Sequence, residues 1–320
     1  MKVRTLPILS LLLICTDQLQ AQIPGCTDKA AINYNSKATV NNGSCRYDTV
    51  SIATPLKYQQ QDVLKESSGM VWWDSLLWQH NDGGGMTALY ATDTSKPDIV
   101  RSVRVLNAYN LDWEDMAQDE SNLYVGDFGN NANGARKNFR IYKMPKAEIE
   151  AKSGNSSVSS SVIQYRYEDQ PEIQLPGPSD ATDLDCEAMI AFNGKLYLFT
   201  KQWKSQKTVV YRLDTLAGEQ VAKRMDSLDV QGLVTGADIH PSTGRIILTG
   251  YTKLGRRFLY LLYGFKGDAF FSGNKRKVWL KGIAQTESVA FIDGENIFIS
   301  SEAISILKPT IEKVNLTRFF

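Results

Sequence analysis

Apolar and polar residues alternate along most of this chain in short runs, each closed by a turn of Gly, Asn, Asp or Ser. Met70-Val-Trp-Trp73, Leu76–Gln79, Ala88–Ala91 and Ile99–Leu106 read as four successive strands. Leu123–Gly126, Lys195–Phe199, Arg245–Thr249 and Asn296–Ser300 read as equivalent second strands of later units. Only Lys146–Lys152 suggests a helix, of one or two turns. It leads into the Ser-rich stretch 153–161, whose composition predicts a flexible insertion. The pattern predicts an all-β chain assembled from repeated antiparallel units.

Acidic residues mark the repeat. Glu66, Glu114, Glu187, Asp238 and Glu287 each stand at the head of a small or apolar strand, with steps of 48, 73, 51 and 49 residues. A period of roughly 40 to 50 residues matches one four-stranded propeller blade, and the insertion at 153–161 lengthens the second step. The expected fold is therefore a β-propeller of five blades, or six if Val162–Gln174 begins a degenerate blade. Thr49–Tyr58 reads as a strand that Pro55 confines to a sheet edge. Such a strand would close the ring by completing the last blade, whose own strands are expected near Ser288–Ile292, Asn296–Ser300 and Thr310–Leu316.

The ends of the chain suggest where it works. Lys2 and Arg4 precede an apolar run from Leu6 to Cys15 and a polar stretch ending at Ala21, the order of a secretory signal over residues 1–21. That run is too short to cross a bilayer. The expected location is secreted or at the cell surface, with a periplasmic chain or one lipid-anchored at Cys15 as the alternative. Cys26 and Cys45 bracket an Asn-rich segment and are expected to pair in an oxidising compartment, stapling a small module over 22–47 ahead of the propeller at 48–320. Cys186, among acidic neighbours, reads as an inert buried thiol.

Thirty-six Lys plus Arg against 35 Asp plus Glu leave no global attraction to nucleic acid, and the expected assembly is a monomer with an unknown extracellular ligand. Lys and Arg do gather between Lys253 and Lys281, but they alternate with aromatic and aliphatic residues as on a strand with one solvated face.

In a propeller, the first strands of all blades surround one channel, so carboxylates at their starts converge. The candidate ligand-binding set is Glu66, Glu114, Asp115, Asp127, Asp185, Glu187, Asp238, Glu287 and Glu302, with Glu114, Glu187, Asp238 and Glu287 as the candidate metal ligands. Crowded carboxylates raise one another's pKa unless a cation relieves them, and all-oxygen, irregular coordination selects calcium. Strand alternation must turn some of these acids away, to cap amides or pair with arginines. The register is ambiguous at two places: Ser68 competes with Glu66 as the first-blade equivalent, and Asp238 can be aligned out of step with Glu187.

No Gly-x-Ser-x-Gly elbow, His-Glu-x-x-His, P-loop or dinucleotide fingerprint occurs, and His80 and His240 are the only histidines. These absences favour a binding propeller. A calcium-dependent hydrolase of phosphoesters or esters at the same mouth is the alternative, with Lys201, Arg136 or Arg140 available to hold an anion.

Two resemblances follow from these motifs. Gly25-Cys-Thr-Asp28, Asn33-Tyr34, Ala38-Thr39 and Gly43-Ser-Cys45 resemble a short module of secreted Gram-negative proteins, although Asn41-Asn42 stands where relatives carry Asp-Asp. Asp112-Trp-Glu-Asp-Met-Ala117, Gly126-Asp-Phe-Gly-Asn-Asn131, Cys186-Glu-Ala-Met189 and Thr286-Glu287 resemble a family of uncharacterised secreted bacterial β-propellers. A more distant likeness is to phytase-like and esterase-like propellers. These resemblances imply a fold and a spacer or cap, not an activity.

Overall fold

The computed structural model describes residues 21–172, 174–282, 284–303 and 308–320. The secretory reading of residues 1–20, and with it the anchoring alternative at Cys15, lies outside them. Short β-rich runs cannot bury an apolar face alone, and here they stack into a ring. Ahead of it lie β1 (Pro24–Gly25), β2 (Val40–Asn41), β3 (Val50–Ile52) and β4 (Leu56–Gln59). Blade A holds β5 (Ser67–Trp73), β6 (Leu76–Asn81), β7 (Ala88–Asp93) and β8 (Asp98–Val105). Blade B holds β9 (Trp113–Gln118), β10 (Asn122–Asp127) and β11 (Phe139–Pro145), then α1 (Lys146–Glu150) and β12 (Ser156–Val158) intervene before its outer strand β13 (Ser161–Tyr167).

Blade C comprises β14 (Asp185–Phe192), β15 (Lys195–Lys201), β16 (Thr208–Asp214) and β17 (Gly218–Leu228). Blade D comprises β18 (Leu233–Ile239), β19 (Ile246–Tyr251), β20 (Arg257–Tyr263) and β21 (Asn274–Leu280). Blade E has β22 (Thr286–Phe291), β23 (Asn296–Ser301) and β24 (Thr310–Asn315), and β4 pairs antiparallel with β24 as its fourth strand. The innermost strands neighbour one another in the closed order β5, β9, β14, β18, β22 and back to β5.

Each junction between blades carries its own apolar core. Val71, Trp78, Trp113 and Met116 fill the junction of A with B. Tyr124, Phe139, Tyr167 and Met189 fill that of B with C. Phe199, Val210, Leu248 and Phe258 join C to D, Ile247, Leu259, Val289 and Ile299 join D to E, and Met70, Leu77, Ala290 and Phe298 return from E to A. Strand alternation explains how one strand serves two cores: in β14, Cys186 and Met189 face blade B while Ala188 and Ile190 face blade D. Five junctions make a five-bladed β-propeller. Val162 lies within β13, the fourth strand of blade B, so the degenerate sixth blade does not form.

Three details depart from the sequence reading. Thr49–Tyr58 is two strands: Pro55 lacks the donor a ladder needs, and around it the chain leaves β3, which runs parallel to β21 outside blade D, to enter β4 in blade E. Residues 153–161 are not a plain spacer, because β12 runs parallel to β8 as a fifth strand of blade A. The outer strands β13 and β17 also pair in parallel, which merges blades B and C into one eight-stranded sheet.

The Cys26–Cys45 disulfide is present, and Cys186 is a free, buried thiol. The stapled segment sits against blade D. Asp28 Oδ2 accepts hydrogen bonds from Tyr47 Oη and Tyr263 Oη, both at 2.7 Å, and Asn41 Nδ2 donates to Asn274 Oδ1 at 2.8 Å. The Arg276 guanidinium lies 4.9 Å from the Tyr47 ring centre.

Candidate functional site

Every innermost strand is bulged near its start. The ladder register skips Ser68 and Gly69 in β5, Glu114 in β9, Glu187 in β14, Thr235 in β18 and Glu287 with Ser288 in β22. A bulge re-aims the extra side chain away from the ladder, which places this ring of residues at one end of the channel. Ser68 and Thr235, not Glu66 and Asp238, are thus the counterparts of Glu114, Glu187 and Glu287. Their hydroxyls tie blades together: Ser68 Oγ donates to Glu114 O at 2.6 Å and Thr235 Oγ1 to Thr286 O at 2.7 Å.

The predicted acids fall into two sets. Asp115, Asp127 and Asp238 are engaged by the scaffold. Asp115 Oδ2 accepts the Met189 N–H at 2.7 Å and the Ala237 N–H at 3.3 Å, and its Oδ1 takes that of Met116 at 2.8 Å. Asp238 Oδ2 accepts the Phe291 N–H at 2.7 Å and its Oδ1 the Ile239 N–H at 2.8 Å. Asp127 pairs with Arg136 at 2.5 Å and accepts the Asp112 N–H at 3.1 Å. Asp238, expected among the metal ligands, lies three residues beyond the bulged Thr235 and bridges blade D to blade E.

Glu114, Asp185, Glu187, Glu287 and Glu302 converge on the mouth, with exposed Glu66 at its rim. Two further acids join them, Asp82 from the turn after β6 and Asp112 just before β9. One oxygen each from Asp82, Asp112 and Glu114 can lie within 4.8 Å of the others. Glycine makes this approach possible. A Cβ on Gly129 would stand 2.2 Å from Glu114 Oε1 and 2.4 Å from Asp112 Oδ2, and one on Gly83 would stand 2.9 Å from Asp112 Oδ1. Glu114 is only 3% exposed, and its Oε1 has no hydrogen-bond partner.

The electrostatics match this crowding. Burial, then Glu187, Asp82, Asp112 and Asp185, raise the Glu114 pKa well above the usual carboxylate range. Burial, then Asp82 and Asp185, push Asp112 up to about 7. Burial, then Asp82, raise Glu302 to about 7. Glu287 is raised to about 8, by burial first, against the pull of Lys201 and with Glu302 adding to the rise.

The other side of the mouth holds a cation of its own. Lys201 Nζ donates to Glu187 Oε1 at 2.9 Å, both side chains being buried, and stands 4.6 Å from the Trp203 ring centre and 5.6 Å from that of Tyr251. Trp203 Nε1 donates to Asp185 Oδ2 at 2.8 Å, and the Asn130 N–H to Asp185 Oδ1 at 2.6 Å. Asp82, Asp112 and Glu114 form no ion pair with a basic side chain among the described residues. The two histidines stay outside this chemistry. His80 is fully buried, with a pKa lowered to about 4 by burial, and His240 bonds its own turn through Ser242 and Thr243.

Asp82 and Asp112 were the residues that sequence reasoning did not select. Their signals are the glycines beside them in Asp82-Gly-Gly-Gly85 and Gly126-Asp-Phe-Gly129, of which Gly83 and Gly129 lie directly against the cluster.

No family model matches the chain, and no curated protein does. Among solved structures, it is similar to the PQQ-bound aldose sugar dehydrogenase of Streptomyces coelicolor, at 9% identity and a TM-score of 0.47, over 82% of this chain and 97% of that one. It is also similar to a chain of the mitotic checkpoint complex, at 13% identity and a TM-score of 0.37, over 77% of this chain and 61% of that one. The five-bladed fold rests on the ring itself. The disulfide suits an extracellular or periplasmic location, and no described helix is long and apolar enough to cross a membrane.

Proposed function

We propose that this protein is a calcium-dependent binding propeller that holds the ion on Asp82, Asp112 and Glu114 and meets its ligand at that channel mouth outside the cell. The observation that carries this reading is the buried, unpartnered Oε1 of Glu114 within a group whose ligand oxygens lie inside 4.8 Å. Two oxygens facing each other across calcium stand up to about 4.8 Å apart, so the group suits the ion's size. A divalent charge there would also relieve the repulsion that holds Glu114 and Asp112 above their ordinary pKa values.

Calcium titration of the mature chain, followed by thermal unfolding, tests the proposal. At one hundred times its dissociation constant, calcium should add about 2.7 kcal/mol of stability by mass action. Asp82→Asn with Glu114→Gln should abolish the shift while leaving the ring folded. An undiminished shift in that variant, or none in the parent at millimolar calcium, removes the proposal.

A calcium-dependent hydrolase is the second reading, favoured by Glu302, which stands beside Asp82 outside the three ligands and whose carboxyl, raised to about 7 chiefly by burial, suits proton transfer at the mouth. Turnover of phosphoesters or esters that EDTA and Glu114→Gln both abolish would move the assignment from binding to catalysis.

A further inference from the structure

The mouth treats its carboxylates unequally, and the difference lies in Lys201. On one side the Lys201 ammonium pairs directly with Glu187 at 2.9 Å and has Glu287 and Asp185 as further acidic neighbours. On the other, Asp82, Asp112 and Glu114 have no ion pair with a basic side chain among the described residues. Lys201 projects from the end of β15, where it pairs with Asp185 across the ladder, and reaches Glu187, the bulged residue of β14. It is only 4% exposed and is flanked by the rings of Trp203 and Tyr251. Nearby Glu287 is 6% exposed and has an Oε1 with no partner. Inserting a long cationic side chain here costs desolvation and rotamer freedom, which several opposing carboxylates can offset.

We infer that the Lys201 ammonium is a built-in cation occupying a second ion position formed by Asp185, Glu187 and Glu287, so that it limits the mouth to one divalent ion and fixes that ion on the Asp82 side. Lys201 is thereby a specificity-determining residue. This rests on the proposed calcium site, yet it makes a separate claim about stoichiometry. Replacing a monovalent, tethered charge by an uncharged side chain would leave three buried carboxylates with the oxygen ligands and the negative charge that attract a hard cation.

The test is the number of calcium ions retained by the full mature protein, measured by equilibrium dialysis with metal analysis, for the parent, Lys201→Met and Lys201→Arg. The expected result is one ion in the parent, two in Lys201→Met and one in Lys201→Arg. Adding Glu187→Gln to Lys201→Met should lower the count back to one. An unchanged count in Lys201→Met, against one ion in the parent, overturns the inference and leaves the calcium site standing. No ion in the parent but one in Lys201→Met, lost again on adding Glu187→Gln, sinks the calcium site and the claim that Lys201 fixes an ion on the Asp82 side, and upholds only the ion position beneath Lys201; no ion in either sinks both. Lys201→Met that folds only with calcium supports the inference, because the ion then replaces the missing charge. If neither Lys201→Met nor Lys201→Gln folds in millimolar calcium, the inference is wrong, since an ion at that position should have restored the balance.

Discussion

The carboxylate of Asp115 in blade B accepts the backbone N–H of Met189 in blade C at 2.7 Å. The same oxygen is shared with Ala237 of blade D, so one buried side chain links three of the five innermost strands. Small residues stand at the matching place in the other blades, Gly69, Ala188, Gly236 and Ser288, and leave it room. Asp115→Ala would leave three buried amides without an acceptor. It should destabilise the ring by about 3 kcal/mol or more in chemical denaturation, with the calcium response retained. A stable Asp115→Ala protein that no longer responds to calcium would instead make Asp115 part of the ion site.

Asp238, Glu302 and Glu287 have folded pKa values raised to about 7, about 7 and about 8, burial being the largest cause in each. The folded chain therefore holds these protons more tightly than the unfolded chain does. The stability they contribute is full below about pH 4 and is lost as pH rises through about 7 to 8. In EDTA, the melting temperature should fall between about pH 5 and pH 8. The calcium-induced rise should grow over the same range, because protons and calcium compete for the mouth. A calcium response that is flat across this window contradicts the expectation.

Gly129→Ala would force a methyl group against Glu114 and Asp112. The two carboxylates must then swing aside, at a cost of about 1 to 3 kcal/mol, and the three ligand oxygens should no longer close on one ion. Calorimetric titration should show calcium affinity reduced at least about tenfold, equivalent to about 1.4 kcal/mol. Affinity equal to that of the parent would mean that the ion binds elsewhere.

Cys26→Ser with Cys45→Ser removes a link that closes a 19-residue separation, worth about 3 kcal/mol to the segment it staples. Limited proteolysis should cut between residues 26 and 45 far sooner than in the parent, while the ring resists. Equal protection would show that contacts such as Asp28 with Tyr263 hold the segment without the bond.

Blade number, most strand positions and the closing role of the N-terminal strand were legible because alternation and spacing report directly on strands. The register within the channel was not. A repeat fixes which stretch recurs but not which residue the bulge expels, so the sequence leaves Ser68 competing with Glu66 and Asp238 of uncertain phase, and only the ladder register picks out Ser68 and Thr235. Asp82 comes from the turn after β6, and chain folding alone brings it to Glu114; Asp112 lies only two residues before Glu114 but ahead of β9, outside the strand-start phase that the repeat marks. The division of acids between scaffold and mouth was equally hidden, since Asp115 and Glu114 are sequence neighbours with opposite surroundings.

The pairing of β4 with β24 joins residues some 250 positions apart, as Tyr58 with Ile311 shows. Blade E thus gains its outer strand only when the last part of the chain has been made, and until then β4 has no partner and the ring has two open ends. A ribosome-bound or partly translocated chain would expose both as unpaired strand edges, inviting association with other copies. Holding the chain extended until its synthesis is complete is the safe order of events, and loss of the final fifteen residues should yield aggregation rather than a smaller propeller.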